Sequence, residues 1–294
     1  MTQATILADR GVVSVSGPDA EKLLGGLITN EIAGLDTAPA IYAALLAPQG
    51  KILFDFFVLR SRDGFLLETL GERTGELVTR LSMYKLRAAV EIRDVSADYS
   101  VGAVWDGAFS DAGSAGGFVV YRDPRLDALG QRVLMPADTT REAFAAAMGA
   151  REASPDAYQA HRIGLGVPEG GRDFAFGDTF PHEALLDQLD GVSFAKGCFV
   201  GQEVVSRMEH RATVRKRVVT VAADADLPDE RLAVVAGAAE IGRLGSVAGS
   251  RGLALLRIDR VAEARRDGVL VTVDGVPITV AAPVFANFRI EAAA

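Results

Sequence analysis

Residues 11–15 form a short apolar run, Gly17-Pro18-Asp19 supplies a turn and a candidate N-cap, and residues 20–27 follow helical spacing. The pattern predicts a strand followed by an amphipathic helix. Residues 41–46, 51–60 and 64–69 are apolar or alternating runs separated by Pro48-Gln49-Gly50 and Arg62-Asp63-Gly64, which predicts strands joined as hairpins. Helical spacing returns over 72–84. Residues 101–104, 117–121 and 131–135 read as further strands, and 139–148 as a helix capped by Thr139 or Thr140. Strands and helices mix without a strict βαβ rhythm, so the predicted class is α+β rather than a doubly wound sheet.

Residues 164–191 break the pattern with Gly164, Gly166, Gly170, Gly171, Gly177, Pro168 and Pro181, and a long irregular segment in a compact protein points to function. Beyond Arg217 the runs shorten: 218–222, 245–248, 252–257, 269–273 and 277–280 are predicted strands spaced by Gly, Asp and Pro, as in a small β-barrel. A chain of 294 residues with 49% hydrophobic content buries a large core and usually splits into two or three domains. A net charge of -8 argues against general nucleic-acid affinity.

Cys198 is the single cysteine, which excludes an intrachain disulfide, a CxxC redox pair and a cysteine-rich metal site. A reducing compartment follows. With no apolar leader in residues 1–10 and no apolar run of membrane-spanning length, the expectation is a soluble cytoplasmic protein that does not engage membranes. His161, His182 and His210 are not at metal-ligand spacing, so no metal site is predicted.

Cys198 lies in Lys196-Gly197-Cys198-Phe199-Val200-Gly201-Gln202-Glu203, with polar or glycine residues on both flanks. Free cysteines are more often small buried hydrophobes, but Lys196 favours a thiolate, Gly197 and Gly201 allow positive φ or close approach, and a helix starting near Gln202 favours an anion.

At this octapeptide the sequence resembles a family. FAKGCFVGQEVVSR, residues 194–207, is similar to the signature loop of the YgfZ-type folate-binding proteins, relatives of the glycine-cleavage T-protein (aminomethyltransferase). The resemblance extends through VSVSGPDAEKLLGGLITNEIAGL (13–35), ALLAPQGKILFDFFVL (44–59), and IGRLGSVA, LALLRI and PVFA in the terminal barrel. It implies an α+β folate-binding body of two subdomains over residues 1–210, closed against a β-barrel over 211–294 around a central channel holding tetrahydrofolate. It further implies an accessory role in assembling or repairing iron–sulfur clusters of client enzymes, including a tRNA-modifying one, through transient contact with client or assembly proteins.

The departures bear on activity. Two adjacent aspartates of T-proteins, one of them catalytic, match Phe54 and Asp55, and the glutamate that holds the pterin there matches Gly164 in Arg162-Ile163-Gly164-Leu165-Gly166. Leu185 stands where many relatives have Asn. Glu183 or Asp187 is expected to accept hydrogen bonds from the pterin instead. The implied folate site takes in Glu183, Asp187, Asp55, Arg162, Gly197, Gly201, Gln202, Glu203 and Arg207, and the implied chemistry falls to Cys198 with Lys196. Arg207, Arg211, Arg215, Lys216 and Arg217 make a basic run suited to the glutamyl tail of folate, although such runs are usually solvated faces. A folate-dependent aminomethyl or one-carbon transferase is the alternative function; half of the carboxylate pair is missing, and acid/base transfer needs a positioned carboxylate.

Overall fold

The computed structural model describes residues 1–107, 113–115, 117–210, 214–228 and 230–290, the side chains of 113–115 and 210 apart. Two compact units result. One comprises residues 1–49, 53–158 and 189–202; the other comprises 50–52, 159–188 and 203–294. The mixed α+β class and the terminal barrel are those of the sequence pattern.

In the first unit the strands Ala40–Leu46, Ile52–Ser61, Gly64–Leu70, Arg10–Ser16 and Glu91–Asp94 form a five-stranded sheet in that order. Ile52–Ser61 is apolar on both faces because both are covered. Phe54, Phe56 and Val58 join a core with Leu24 of the helix Ala20–Gly25 and Leu77 and Leu81 of the helix Thr74–Lys85. Phe57, on the opposite face, meets Tyr121 of a second, six-stranded sheet with ring centroids 6.3 Å apart. The outer face of that sheet takes Phe144 of the helix Arg141–Ala147. Gly102 is needed there, since a Cβ would lie 2.4 Å from the Phe144 ring. The unit is therefore four layers, helix on sheet on sheet on helix.

Between the two sheets sits a buried ionic network. Glu68, fully buried, accepts from Arg10 Nε at 2.9 Å, Arg132 Nε at 2.9 Å and Tyr121 Oη at 2.5 Å. Arg125 grips Asp123 through Nε and Nη2 at 2.9 and 2.7 Å. Arg125 and Arg132 lie over the Phe57 ring at 4.9 and 4.4 Å. Burial by itself would push the Glu68 carboxyl up, but the two guanidiniums and the Tyr121 hydroxyl hold it down at about 2.

In the second unit seven strands form a nearly closed barrel, ordered Val276–Pro277, Val271–Val273, Ala233–Ala236, Ala239–Ala248, Arg251–Arg257, Lys216–Ala222 and Thr279–Ala281. Helix Ile258–Arg266, which the pattern did not predict, adds Val261 and Ala264 to the barrel core. Helix Pro155–Leu165 was likewise missed, because its polar composition gives a weak apolar stripe. Of the segment 164–191 expected to be irregular, 164–165 close the helix Pro155–Leu165 and 166–190 are turns and unassigned chain with one isolated bridge, Gly170 to Phe174.

One local cap expectation needs correction and a second is narrowed to one of its two candidates. Asp19 does not cap the first helix by its side chain; its Oδ2 accepts from the Ala89 N–H at 2.8 Å, tying two distant segments. The helix Arg141–Ala147 is capped by Thr140, whose hydroxyl accepts from Ala143 N–H at 3.2 Å.

Candidate functional site

The cysteine loop is held by its neighbours in sequence. Lys196 and Phe199 are buried, while Gly197 and Cys198 between them are exposed. Lys196 Nζ donates to the carbonyls of Gly25 at 2.9 Å, Ile28 at 2.6 Å and Asn30 at 2.9 Å, so all three ammonium protons are engaged. Gly25 ends the first helix, where carbonyls lack intrahelical partners and favour a cation. The ammonium also lies 5.1 Å from the Phe199 ring centroid. Burial lowers the Lys196 pKa to about 8, against a smaller opposing pull from Glu31, so the group remains largely charged at neutral pH.

The same stretch of chain stitches the other end of the loop. Thr29 Oγ1 donates to Gly191 O at 2.6 Å and accepts from Ala44 N–H at 2.8 Å, while Asn30 Nδ2 donates to Asp190 O at 2.6 Å and Tyr42 O at 2.9 Å. Thr29 and Asn30 were missed by sequence reasoning; the only signal was a polar pair directly behind an apolar helix.

Lys196 therefore serves as an anchor and not as a catalytic partner aimed at Cys198. Gly201 has φ +82, which explains the glycine, and Gln202 N–H bonds Phe199 O at 3.2 Å as the helix Gln202–His210 begins. Gly197 has neither positive φ nor any atom that a Cβ would meet within 4 Å, so the expected need for glycine there is not a backbone one. Glu203 and Arg207 are exposed on the helix.

The expected folate ligands do not gather as one free set. Arg162, with 0% exposure, is a structural hub: it donates to Gln159 Oε1 at 3.0 and 2.8 Å, Val167 O at 2.6 Å, Asp173 Oδ2 at 2.7 Å and Ser246 Oγ at 2.9 Å. Asp187 is gripped by the Arg217 guanidinium through both oxygens at 2.9 Å. Asp55 is buried and accepts from the Tyr42 hydroxyl at 2.8 Å; burial first, and then the Asp55 charge, keep Tyr42 protonated. Glu183 Oε2 accepts from Phe180 N–H at 2.9 Å, and Glu183 is half-buried. Among the described residues Oε1 of Glu183 has no partner, which leaves it as the acid best able to take a donor. Leu185 adopts φ +63 while fully buried, a backbone state that Asn tolerates better than Leu.

His182 Nε2 lies 3.2 Å from Glu209 Oε2, and ligand atoms of His182, Asp187 and Glu209 fall within 4.8 Å of one another. Sequence spacing missed this grouping because Glu209 comes from the later helix. Its cation position is contested by Arg217, already on Asp187, so it reads as a polar cluster rather than a metal centre. Arg217 is thereby removed from the basic run, and Arg211 lies outside the described residues.

The fold matches that of a glycine cleavage system aminomethyltransferase T from Bartonella henselae, with TM-score 0.76 over 98% of this chain and 87% of that one at 16% identity. Residues 215–288 match the C-terminal beta-barrel domain of CAF17. An aminomethyltransferase-fold body carrying a CAF17-type barrel is thus the class. Within it, the chain is 38% identical over 223 residues to an iron-sulfur cluster assembly factor IBA57 homolog of Mycosarcoma maydis, covering 71% of this chain and 54% of that protein. It is 32% identical over 280 residues to human iron-sulfur cluster assembly factor IBA57, covering 87% of this chain and 77% of that protein. The chain belongs to the IBA57 family, to which the YgfZ-type proteins are related. It spans about half the length of the fungal relatives it matches. These relatives are named as mitochondrial, which overturns the cytoplasmic expectation. Among the described residues no helix is long and apolar enough to cross a membrane.

Proposed function

We propose that this chain is an iron–sulfur cluster assembly factor that binds tetrahydrofolate and uses Cys198 as a transient ligand for a cluster passing to a client enzyme, tRNA-modifying enzymes among them. The observation that carries this reading is the presentation of the one cysteine: an exposed thiol on a loop pinned on either side by buried Lys196 and Phe199. The IBA57 relatives, named as cluster assembly factors, support it.

Cysteine ligates iron as the thiolate, and one sulfur does not hold a cluster alone. The step is a ligand exchange: the thiolate replaces one ligand of a cluster whose other positions belong to a partner, the displaced ligand leaves with a proton, and no electron moves. A pinned loop lowers the ordering cost of that encounter. For folate, Glu183 Oε1 would take the pterin N–H edge, since Asp187 and Asp55 are committed to Arg217 and Tyr42. Tetrahydrofolate, when bound, supplies a reduced pterin able to carry one-carbon units. Transfer of such a unit is disfavoured here, because Phe54 lies in the apolar core and the Asp55 carboxylate is engaged within the other side of the sheet.

The test is replacement of the native protein in cells by Cys198→Ser, with client iron–sulfur enzyme activity as the readout and folding checked by circular dichroism. Loss of client activity by a folded variant is expected. Full support of clients by the serine variant would remove Cys198 from the function.

A further inference from the structure

A cavity of about 510 Å³ lies in the barrel-containing unit, against the strands Ala239–Ala248 and Arg251–Arg257 and the turn segment 171–179. Of the residues expected above to meet folate, only Lys216 of the basic run lines it, and none of the cysteine loop does. Phe174, Leu244 and Leu255 give it an apolar wall.

Four cationic residues, Arg172, Lys216, Arg231 and Arg243, also line it, and Arg172 pairs with Glu169 at 3.3 Å. Lys216 is half-buried and, among the described residues, has no hydrogen-bond or ion-pair partner. Among the described residues the Arg231 guanidinium makes only a long contact to Gly171 O at 3.4 Å, while Arg243 pairs with Glu240 at 3.5 Å and donates to Arg231 O at 3.4 Å, both exposed. Of the three acids at the cavity, Asp173, Asp178 and Glu240, the last pairs with Arg243 and Asp178 pairs with Lys51 at 3.6 Å. Asp173 is buried and bound by Arg162 at 2.7 Å and by Ser246 N–H at 2.7 Å. The cavity thus keeps an excess of positive charge in a chain whose net charge is -8.

A second observation is independent of the charge. Thr179 lines the cavity at 1% exposure, and among the described residues its buried Oγ1 has no hydrogen-bond partner. A buried hydroxyl without a partner is destabilising unless something supplies one. Its backbone is fully used, with N–H to Ala175 O at 3.2 Å and C=O from Ile52 N–H at 2.9 Å, so the hydroxyl alone is left over.

We propose that this cavity binds a small ligand that carries an oxyanion, carboxylate or phosphate, on an apolar body of ring size. The oxyanion meets Lys216 and Arg231 and accepts from the Thr179 hydroxyl; the apolar body lies on Phe174 and Leu244. Charge-assisted bonds to Lys216 and to the arginines supply the strong part of recognition, and the apolar wall selects against inorganic anions.

Calorimetric titration of the full chain with phenyl phosphate, benzoate and inorganic phosphate tests this. At least one of the two aromatic anions should bind at least tenfold tighter than inorganic phosphate, and which of the two binds tighter separates a phosphate ligand from a carboxylate one. Lys216→Met should weaken the aromatic anion about tenfold, the loss of one charge-assisted bond. Thr179→Val should also weaken it, by about tenfold, while raising the thermal midpoint of the unliganded protein because an unpaired buried hydroxyl is gone. A structural hydroxyl would behave oppositely, and a lower midpoint for Thr179→Val would overturn the assignment. So would the absence of saturable binding of both aromatic anions at millimolar concentration, or affinity unchanged by Lys216→Met.

Discussion

Acidification should unfold the first unit through Glu68, and the size of the effect follows from the network around it. The carboxyl is fully buried and held at about 2 against an ordinary value of 4.5, because Arg132, Arg10 and Tyr121 outweigh the cost of burying its charge. Between those two pH values the unfolded chain binds a proton that the folded chain does not, so stability falls as pH falls. At 1.36 kcal/mol per unit the interval corresponds to about 3 kcal/mol, fully present above pH 4.5 and lost by pH 2. The single tryptophan, Trp105, is buried at 1% exposure in the same unit and reports its unfolding by fluorescence. Urea midpoints would be measured between pH 7 and pH 3. Glu68→Gln should lower stability at pH 7 by about 3–5 kcal/mol, since two guanidiniums lose their counter-charge in a desolvated site. The variant should also flatten the acid limb. Tyr121→Phe, which removes one hydrogen bond, should cost about 1–3 kcal/mol and move the acid limb to higher pH. Parallel acid limbs for the wild type and Glu68→Gln would refute the assignment of this proton to Glu68.

Lys196→Met should loosen the cysteine loop, costing about 2–4 kcal/mol from three lost charge-assisted bonds, with faster amide exchange over residues 190–200; unchanged exchange would deny Lys196 its anchoring role. Glu183→Gln should weaken tetrahydrofolate about tenfold or more, as expected when one charged partner is lost from a desolvated contact, whereas unchanged affinity in a fluorescence titration would move the pterin to another acid.

The strand and helix order of the first unit was legible because each element carries its own period: residues 41–46, 52–61 and 64–70 are apolar runs bounded by turn residues, and the helix after Arg73 buries Leu77 and Leu81 four apart. The loop around Cys198 was legible for the same reason, since its glycines, lysine and helix start are contiguous. The helices Pro155–Leu165 and Ile258–Arg266 were not: both are rich in polar residues, and Arg162 of the first is buried by partners that lie elsewhere in the chain, Asp173 and Ser246.

What the sequence by itself determined is therefore local: the periodicity of the elements, the turn residues between them and the isolation of one thiol among glycines and a lysine. The partners of the buried charges at Lys196, Arg217 and Glu68 were decided only by the tertiary structure. Lys196 points to three carbonyls 166 to 171 residues away, Arg217 reaches back 30 residues to Asp187, and Glu68 gathers two arginines from opposite sides of its own position. A charge reads the same in sequence whether it is solvated or buried. The difference is made by desolvation, which only the packed sheets and the nearly closed barrel impose, and which turned several expected ligands of a cofactor into struts of the fold.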